Sequence, residues 1–122
     1  MNYQLIESYS DGYLKDLFNI VKIGRDSLPI YYKLHHLIDM IKNPSYLIYK
    51  CYLENETIGF FVLEICDENK IHIMSIAISK SNRGKGYGSN IMVILKSTFL
   101  KYTLSLNVQI QNTSIYQNHN IL

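Results

Sequence analysis

Neither charge sign dominates this 122-residue chain, only two cysteines occur, and no apolar run is long enough to span a bilayer. Twelve Lys and Arg against ten Asp and Glu leave a formal charge of +2. Such balance argues against a surface built to hold nucleic acid or an anionic membrane, so neither is expected as a partner. The opening MNYQLIESYSDGY has neither the basic stretch nor the apolar run of an export signal, which makes a cytoplasmic location the expectation. Cys51 and Cys66 stand in apolar, strand-like runs without CxxC or other metal-ligand spacing. They are expected as reduced thiols, with no disulfide framework and no metal site. Linkers, repeats and low-complexity tracts are also missing, so residues 1–122 are expected to form one domain, long enough to bury roughly two thirds of the surface exposed by the unfolded chain.

What is present is a mixed order of elements. Tyr3 to Glu7 reads as a short strand. Asp11 is placed to cap a first helix carrying Leu14, Leu17, Phe18, Val21 and Leu28 near helical spacing, with Gly24 and Pro29 punctuating its end. Tyr31 to Lys42 reads as a second helix, with Leu34, Leu37, Ile38 and Ile41 on one face and Asn43-Pro44 closing it. His35 and His36 are adjacent on that helix and are expected to face apart rather than pair on a metal. Three strand-like runs follow, Tyr46 to Leu53, Thr57 to Ile65 and Lys70 to Ser79, and short polar turns between them suit an antiparallel meander.

The third run changes parity: Ile71 and Ile73 are odd, whereas Met74, Ile76 and Ile78 are even. Strand side chains alternate with period two, so one buried face for both sets needs an extra residue near Ser75, a β-bulge. A strand buried on both faces is the alternative.

Directly after this run comes SKSNRGKGYGSN, in which Lys80, Arg83 and Lys85 occur without an acid among them. A helix follows from Gly86 to Leu100, with Ile91, Ile94, Leu95, Thr98 and Phe99 as its core stripe. The first amides of a helix lack intrahelical partners and sit at the positive end of its dipole. A glycine-rich turn before them, here Gly84, Gly86 and Gly88, lets a phosphate reach the main chain. The residues do not make a Walker loop, because no glycine is followed by Lys and then Ser or Thr. Nor do they complete GxGxxG, since Ser89 and Ile91 stand where the third glycine belongs. Leu104, Leu106, Val108 and Ile110 then alternate with polar residues as a half-buried strand. Strand, helix and strand in this order form a right-handed parallel crossover, with the glycine turn at the carboxyl end of the sheet.

Arg83-x-x-Gly86-x-Gly88, between an apolar strand and a helix, resembles the acetyl-CoA signature (Q/R)xxGx(G/A) of the GNAT N-acetyltransferase superfamily. The resemblance implies an α/β acyltransferase fold in the order β-α-α-β-β-β-α-β-(α). It also favours the bulge, since the matching strand in that superfamily splays from its neighbour to admit the pantetheine arm. Acetyl-CoA is then the expected co-substrate, held by Ile76, Ala77, Ile78, Arg83, Gly84, Lys85, Gly86, Tyr87, Gly88 and Ser89, with no metal. The expected reaction is direct acetyl transfer to a primary amine, small or peptidic.

That chemistry needs a base for the ammonium proton, a backbone N–H near Ile76 or Ile78 for the thioester oxygen, and no covalent acyl-enzyme. Glu64 and His72 are the candidate bases. Each has a bland reading beside it, as a solvated strand residue. Tyr116 is the candidate acid, although in the family register Asn118 takes the tyrosine position. His119, close to the end, is expected to fray. Residues 111–115 can begin a further helix, and the superfamily's usual final strands have no counterpart before Leu122. A homodimer through the edge strand 104–110 is one way of completing such a sheet, and a non-catalytic acetyl-CoA binder is the alternative to an enzyme.

Overall fold

The computed structural model describes the backbone of residues 1–110 and side chains through Ser105. Elements follow as β1 (Asn2–Leu5), α1 (Tyr13–Ser27), α2 (Leu34–Ile41), β2 (Tyr46–Leu53), β3 (Glu56–Asp67), β4 (Lys70–Ile78), α3 (Tyr87–Thr98) and β5 (Thr103–Ile110), with a single 3-10 turn at Lys80–Asn82 before α3. The sheet runs β1-β2-β3-β4-β5. Its first three pairings are antiparallel and β4–β5 is parallel, as the crossover requires.

The sheet is covered on both faces. Ile91, Met92 and Leu95 of α3 pack with Phe61, Leu63, Ile71, Ile73, Ile76 and Ile78 on one side. On the other, Leu17, Ile20 and Val21 of α1 and Leu37 of α2 pack with Ile48, Phe60, Val62 and Ala77. The change of parity in β4 is resolved by a bulge: Val62 pairs with Ser75 but Leu63 with Ile73, leaving Met74 as the extra residue. Ile71, Ile73, Ile76 and Ile78 thereby all reach the α3 side, while Met74 packs on the opposite one.

Several local expectations are corrected. Asp11 does not cap α1; Gly12 does, in the left-handed region at φ 78° and without a side-chain bond. Helix α1 runs through Gly24, whose missing Cβ leaves Tyr31 and Phe60 in contact distance. It buries Leu17, Ile20, Val21, Ile23 and Gly24, with Leu28 buried just past its end, and Leu14 and Phe18 fall on the exposed flank. Helix α2 begins at Leu34 because Lys33 is its cap, with His36 Nδ1 accepting the Lys33 amide. The His35 and His36 rings do not face apart; their centroids are 4.0 Å from each other. In α3, Met92 joins the core and Thr98 is exposed. The expectations for Gln111 to Asn118, Tyr116 and His119 fall outside the described residues.

Both thiols are free, Cys51 buried and Cys66 exposed. Burial pushes the Cys51 thiol up to about 12 from its ordinary 9.0. Between these values the unfolded chain loses a proton that the folded chain keeps, so stability falls as pH rises through that window, by up to about 4 kcal/mol from this thiol. Denaturation midpoints measured at several alkaline pH values should fall less steeply for Cys51→Ala than for the wild type. An equal slope in both would contradict the burial of this thiol.

Candidate functional site

The carboxyl end of β4 opens into the 3-10 turn and then into residues 83–86, which deliver the chain to α3. Gly84 and Gly86 take φ values of 77° and 85°, a left-handed backbone that side chains with a Cβ resist. Gly86 is the cap of α3, and apart from its chain neighbours no atom of the described residues lies within 4 Å of where a Cβ would stand on either glycine. Gly88, by contrast, has no positive φ and lies in the first turn of the helix. The Asn82 amide donates to Ser79 O at 2.9 Å, and that of Arg83 to Lys80 O at a long 3.5 Å. From Gly84 to Ser89 no amide has an acceptor among the described residues; Asn90, bonded to Gly86 O at 3.0 Å, is the first that does. Residues 83–86 are exposed, and the first turn of α3 is half-buried. Six consecutive donors therefore face solvent at the positive end of a 12-residue helix.

Arg83 is hydrogen-bonded within the protein. Its Nε donates to Ile78 O at 3.1 Å, and one terminal nitrogen donates to Ser27 Oγ at 2.6 Å and Asp26 O at 3.4 Å. Ser27 Oγ in turn donates to Ile78 O at 3.3 Å. The guanidinium thus ties the loop to the carboxyl end of α1, where the helix dipole favours a cation. Lys80 and Lys85 remain exposed on the loop. Gly59 holds β3 close at this point, since a Cβ there would come within 2.7 Å of Ala77 O and of Ile78 Cδ1.

Below the loop, the backbone of β4 points alternately at its two neighbours. The Ser79 amide donates to Ile58 O beside β3, at 2.7 Å, so the amides of Ile78 and Ile76 are directed toward β5. Pairing with β5 slips between Ile73 and Ser75, and Ile76 stands opposite Ile110. At the bulge, Ser75 is the one buried polar residue among the described core, and its Oγ donates to Tyr32 Oη at 3.1 Å. Burial is the main cause that raises the Tyr32 hydroxyl above its ordinary pKa, with the Ser75 bond opposing it.

Further down the same face, three strands bring polar groups into one row. Glu64 on β3 pairs with His72 on β4, and His72 pairs with Ser105 on β5. His72 Nδ1 and Ser105 Oγ are hydrogen-bonded, and both Glu64 and His72 are half-buried rather than simply solvated. The two candidate bases are therefore neighbours.

The profile of the Acetyltransferase (GNAT) family matches residues 6–115. The chain belongs to this acetyltransferase family. Its GNAT fold superposes on a putative GNAT acetyltransferase from Bacteroides thetaiotaomicron with a TM-score of 0.72 and 16% identity, over 98% of this chain and 68% of that one. It likewise superposes on the ribosomal-protein-S18-alanine N-acetyltransferase from Escherichia coli, with a TM-score of 0.75 and 14% identity over 97% and 75% of the two chains. An aminoglycoside 6'-N-acetyltransferase complexed with coenzyme A gives 0.67 and 12% over 88% and 61%. No curated protein sequence matches the chain.

Sequence reasoning missed Ser27, Tyr32 and Ser105. None carries a motif signal: Ser27 ends a helix, Tyr32 is one of 11 tyrosines, and Ser105 alternates with leucines as any solvent-facing residue would. Only the register of β5 on β4 puts Ser105 beside a histidine. Among the described residues, no helix is long and apolar enough to cross a membrane.

Proposed function

We propose that this GNAT-family chain transfers the acetyl group of acetyl-CoA to a primary amine, with the diphosphate bound by the amides of residues 84–89. The observation that carries the reading is the run of six unpartnered amides beside two left-handed glycines. A diphosphate fits such a cradle because it offers several acceptors, needs close approach to the main chain, and is favoured by the dipole of α3 and by Lys80 and Lys85.

Acetyl-CoA, when bound, supplies the acetyl thioester and a thiolate leaving group. The chain's own groups do the rest. His72 takes the proton of the incoming ammonium through Nε2, because Ser105 engages Nδ1 and fixes the ring. Glu64 stands beside it and stabilises the imidazolium that results. A backbone amide of β4 near Ile76, on the edge directed toward β5, is assigned to the thioester oxygen as it gains charge. Tyr32 is a second candidate beside Tyr116 for the proton donor to the thiolate: it accepts from Ser75, and burial favours its protonated form. The acceptor surface is assigned to residues 25–42, where Arg25, Lys33 and Lys42 offset Asp26 and Asp39. This suits a small amine or a peptide amino terminus better than a polycation.

CoA and acetyl-CoA should raise the melting temperature more than ATP or NAD at equal concentration. Mixing with acetyl-CoA and a panel of amines should release free CoA in a single turnover. Stabilisation without release would demote the chain to a non-catalytic binder, and equal stabilisation by ATP and NAD would refute the CoA cradle.

A further inference from the structure

Beside the row of polar groups on β3, β4 and β5 stands a fourth residue, Cys66, that the proposed chemistry does not use. Cys66 follows Glu64 on β3, and the ladder slips there: Ile65 pairs with Ile71 and Asp67 with Lys70, so Cys66 has no partner on β4. Its side chain turns back on Glu64, with Sγ 3.7 Å from Glu64 O and 4.0 Å from Glu64 Oε1. One donor atom each of Glu64, Cys66 and His72 lies within 4.8 Å of the other two. No other group of three His, Cys, Asp or Glu among the described residues comes together in this way.

We propose that Glu64, Cys66 and His72 bind a thiophilic divalent cation, Zn²⁺ above all, and that the metal silences the site by occupying the imidazole nitrogen that takes the substrate's proton. A thiolate, an imidazole and a carboxylate form a mixed set that selects zinc over magnesium or calcium and leaves a fourth position for water. The supporting shell is already in place, since Ser105 engages Nδ1 and leaves Nε2 as the ligand nitrogen, the arrangement that orients metal-binding histidines. Zinc–ligand bonds of about 2.0–2.3 Å require donor atoms roughly 3.3–3.8 Å apart, so the triad must contract by about 1 Å. Exposed Cys66 and the flexible Glu64 carboxylate permit that movement, whereas His72 is held by Ser105. On binding, the thiol proton leaves to solvent and the sulfur–metal bond takes its place, with no redox change.

The metal site stands on its own geometry; the inhibition rests on the function proposed above. Titration of the full chain with Co²⁺ should give a near-ultraviolet thiolate charge-transfer band that Zn²⁺ abolishes by displacement. The band should be missing in Cys66→Ser, and Ser105→Ala should weaken binding about tenfold or more. Zinc should inhibit acetyl transfer by the wild type, while Cys66→Ser keeps normal turnover and loses the inhibition. A wild-type chain without the band, or a Cys66→Ser chain that still shows it, overturns the site whatever the activity proves to be. A normal band with zinc-insensitive turnover retains the site and removes His72 from the proton transfer.

Discussion

Exchange of His72 for Gln is expected to lower kcat for acetyl transfer by about 10²–10⁴-fold, the span for a lost general base, while CoA affinity stays at its wild-type value. The separation follows from position. His72 lies near the start of β4, opposite Glu64 and Ser105, whereas the amides proposed to hold the diphosphate lie beyond the strand's other end. Gln keeps a polar side chain in the row but cannot accept a proton, and imidazole added to the buffer should restore part of the lost rate. Ser105→Ala removes only the partner that fixes the ring and should cost about 2–12-fold, the worth of one ordinary hydrogen bond. A His72→Gln enzyme that turns over normally would move the proton transfer to Glu64 or to water. Lost CoA binding in the same variant would mean that the strand itself has been disturbed.

The β4 bulge could be inferred from parity alone, because a covered face tolerates no mismatch and the isoleucines on both sides of Met74 must share it. The crossover and the placing of the loop at the carboxyl end of β4 followed from element order and chain handedness. Helix α1 was harder. Leu14, Leu17, Phe18 and Val21 make as good a stripe as Leu17, Ile20, Val21 and Gly24, and periodicity does not choose between neighbouring faces when apolar residues cover more than one. The packing of Gly24 against Phe60 made the choice, a tertiary contact that local pattern does not contain.

The site divides along the same line. The anion-facing amides were legible because they depend on backbone termination and glycine, both written locally. The destination of Arg83 was not, since its partners Asp26 and Ser27 are more than 50 residues away. Glu64, His72, Ser105 and Cys66 become a cluster only through the registers of three strands, and each alone has the ordinary look of a solvated strand position.

Gly86→Val should weaken CoA binding by about 100-fold, the equivalent of losing one to two charge-assisted hydrogen bonds, and should also lower stability by roughly 1–2 kcal/mol. The second effect comes from the backbone. At φ 85° an L side chain is strained, yet beyond its chain neighbours a Cβ at this position meets no atom of the described residues within 4 Å, so they add no packing clash. The open space it would fill is the space assigned to the diphosphate. Gly12 supplies the matched control: it caps α1 at φ 78°, its Cβ position is equally open, and it belongs to another helix terminus. Gly12→Val should cost similar stability in thermal or urea unfolding and leave the calorimetric affinity for CoA unchanged. If both variants lose affinity alike, strain propagated through the fold is responsible and the cradle gains no support. If neither loses it, the amides of residues 84–89 do not hold the diphosphate. Loss in Gly86→Val alone assigns the anion to the amino end of α3, because the two substitutions then differ only in which helix terminus they obstruct.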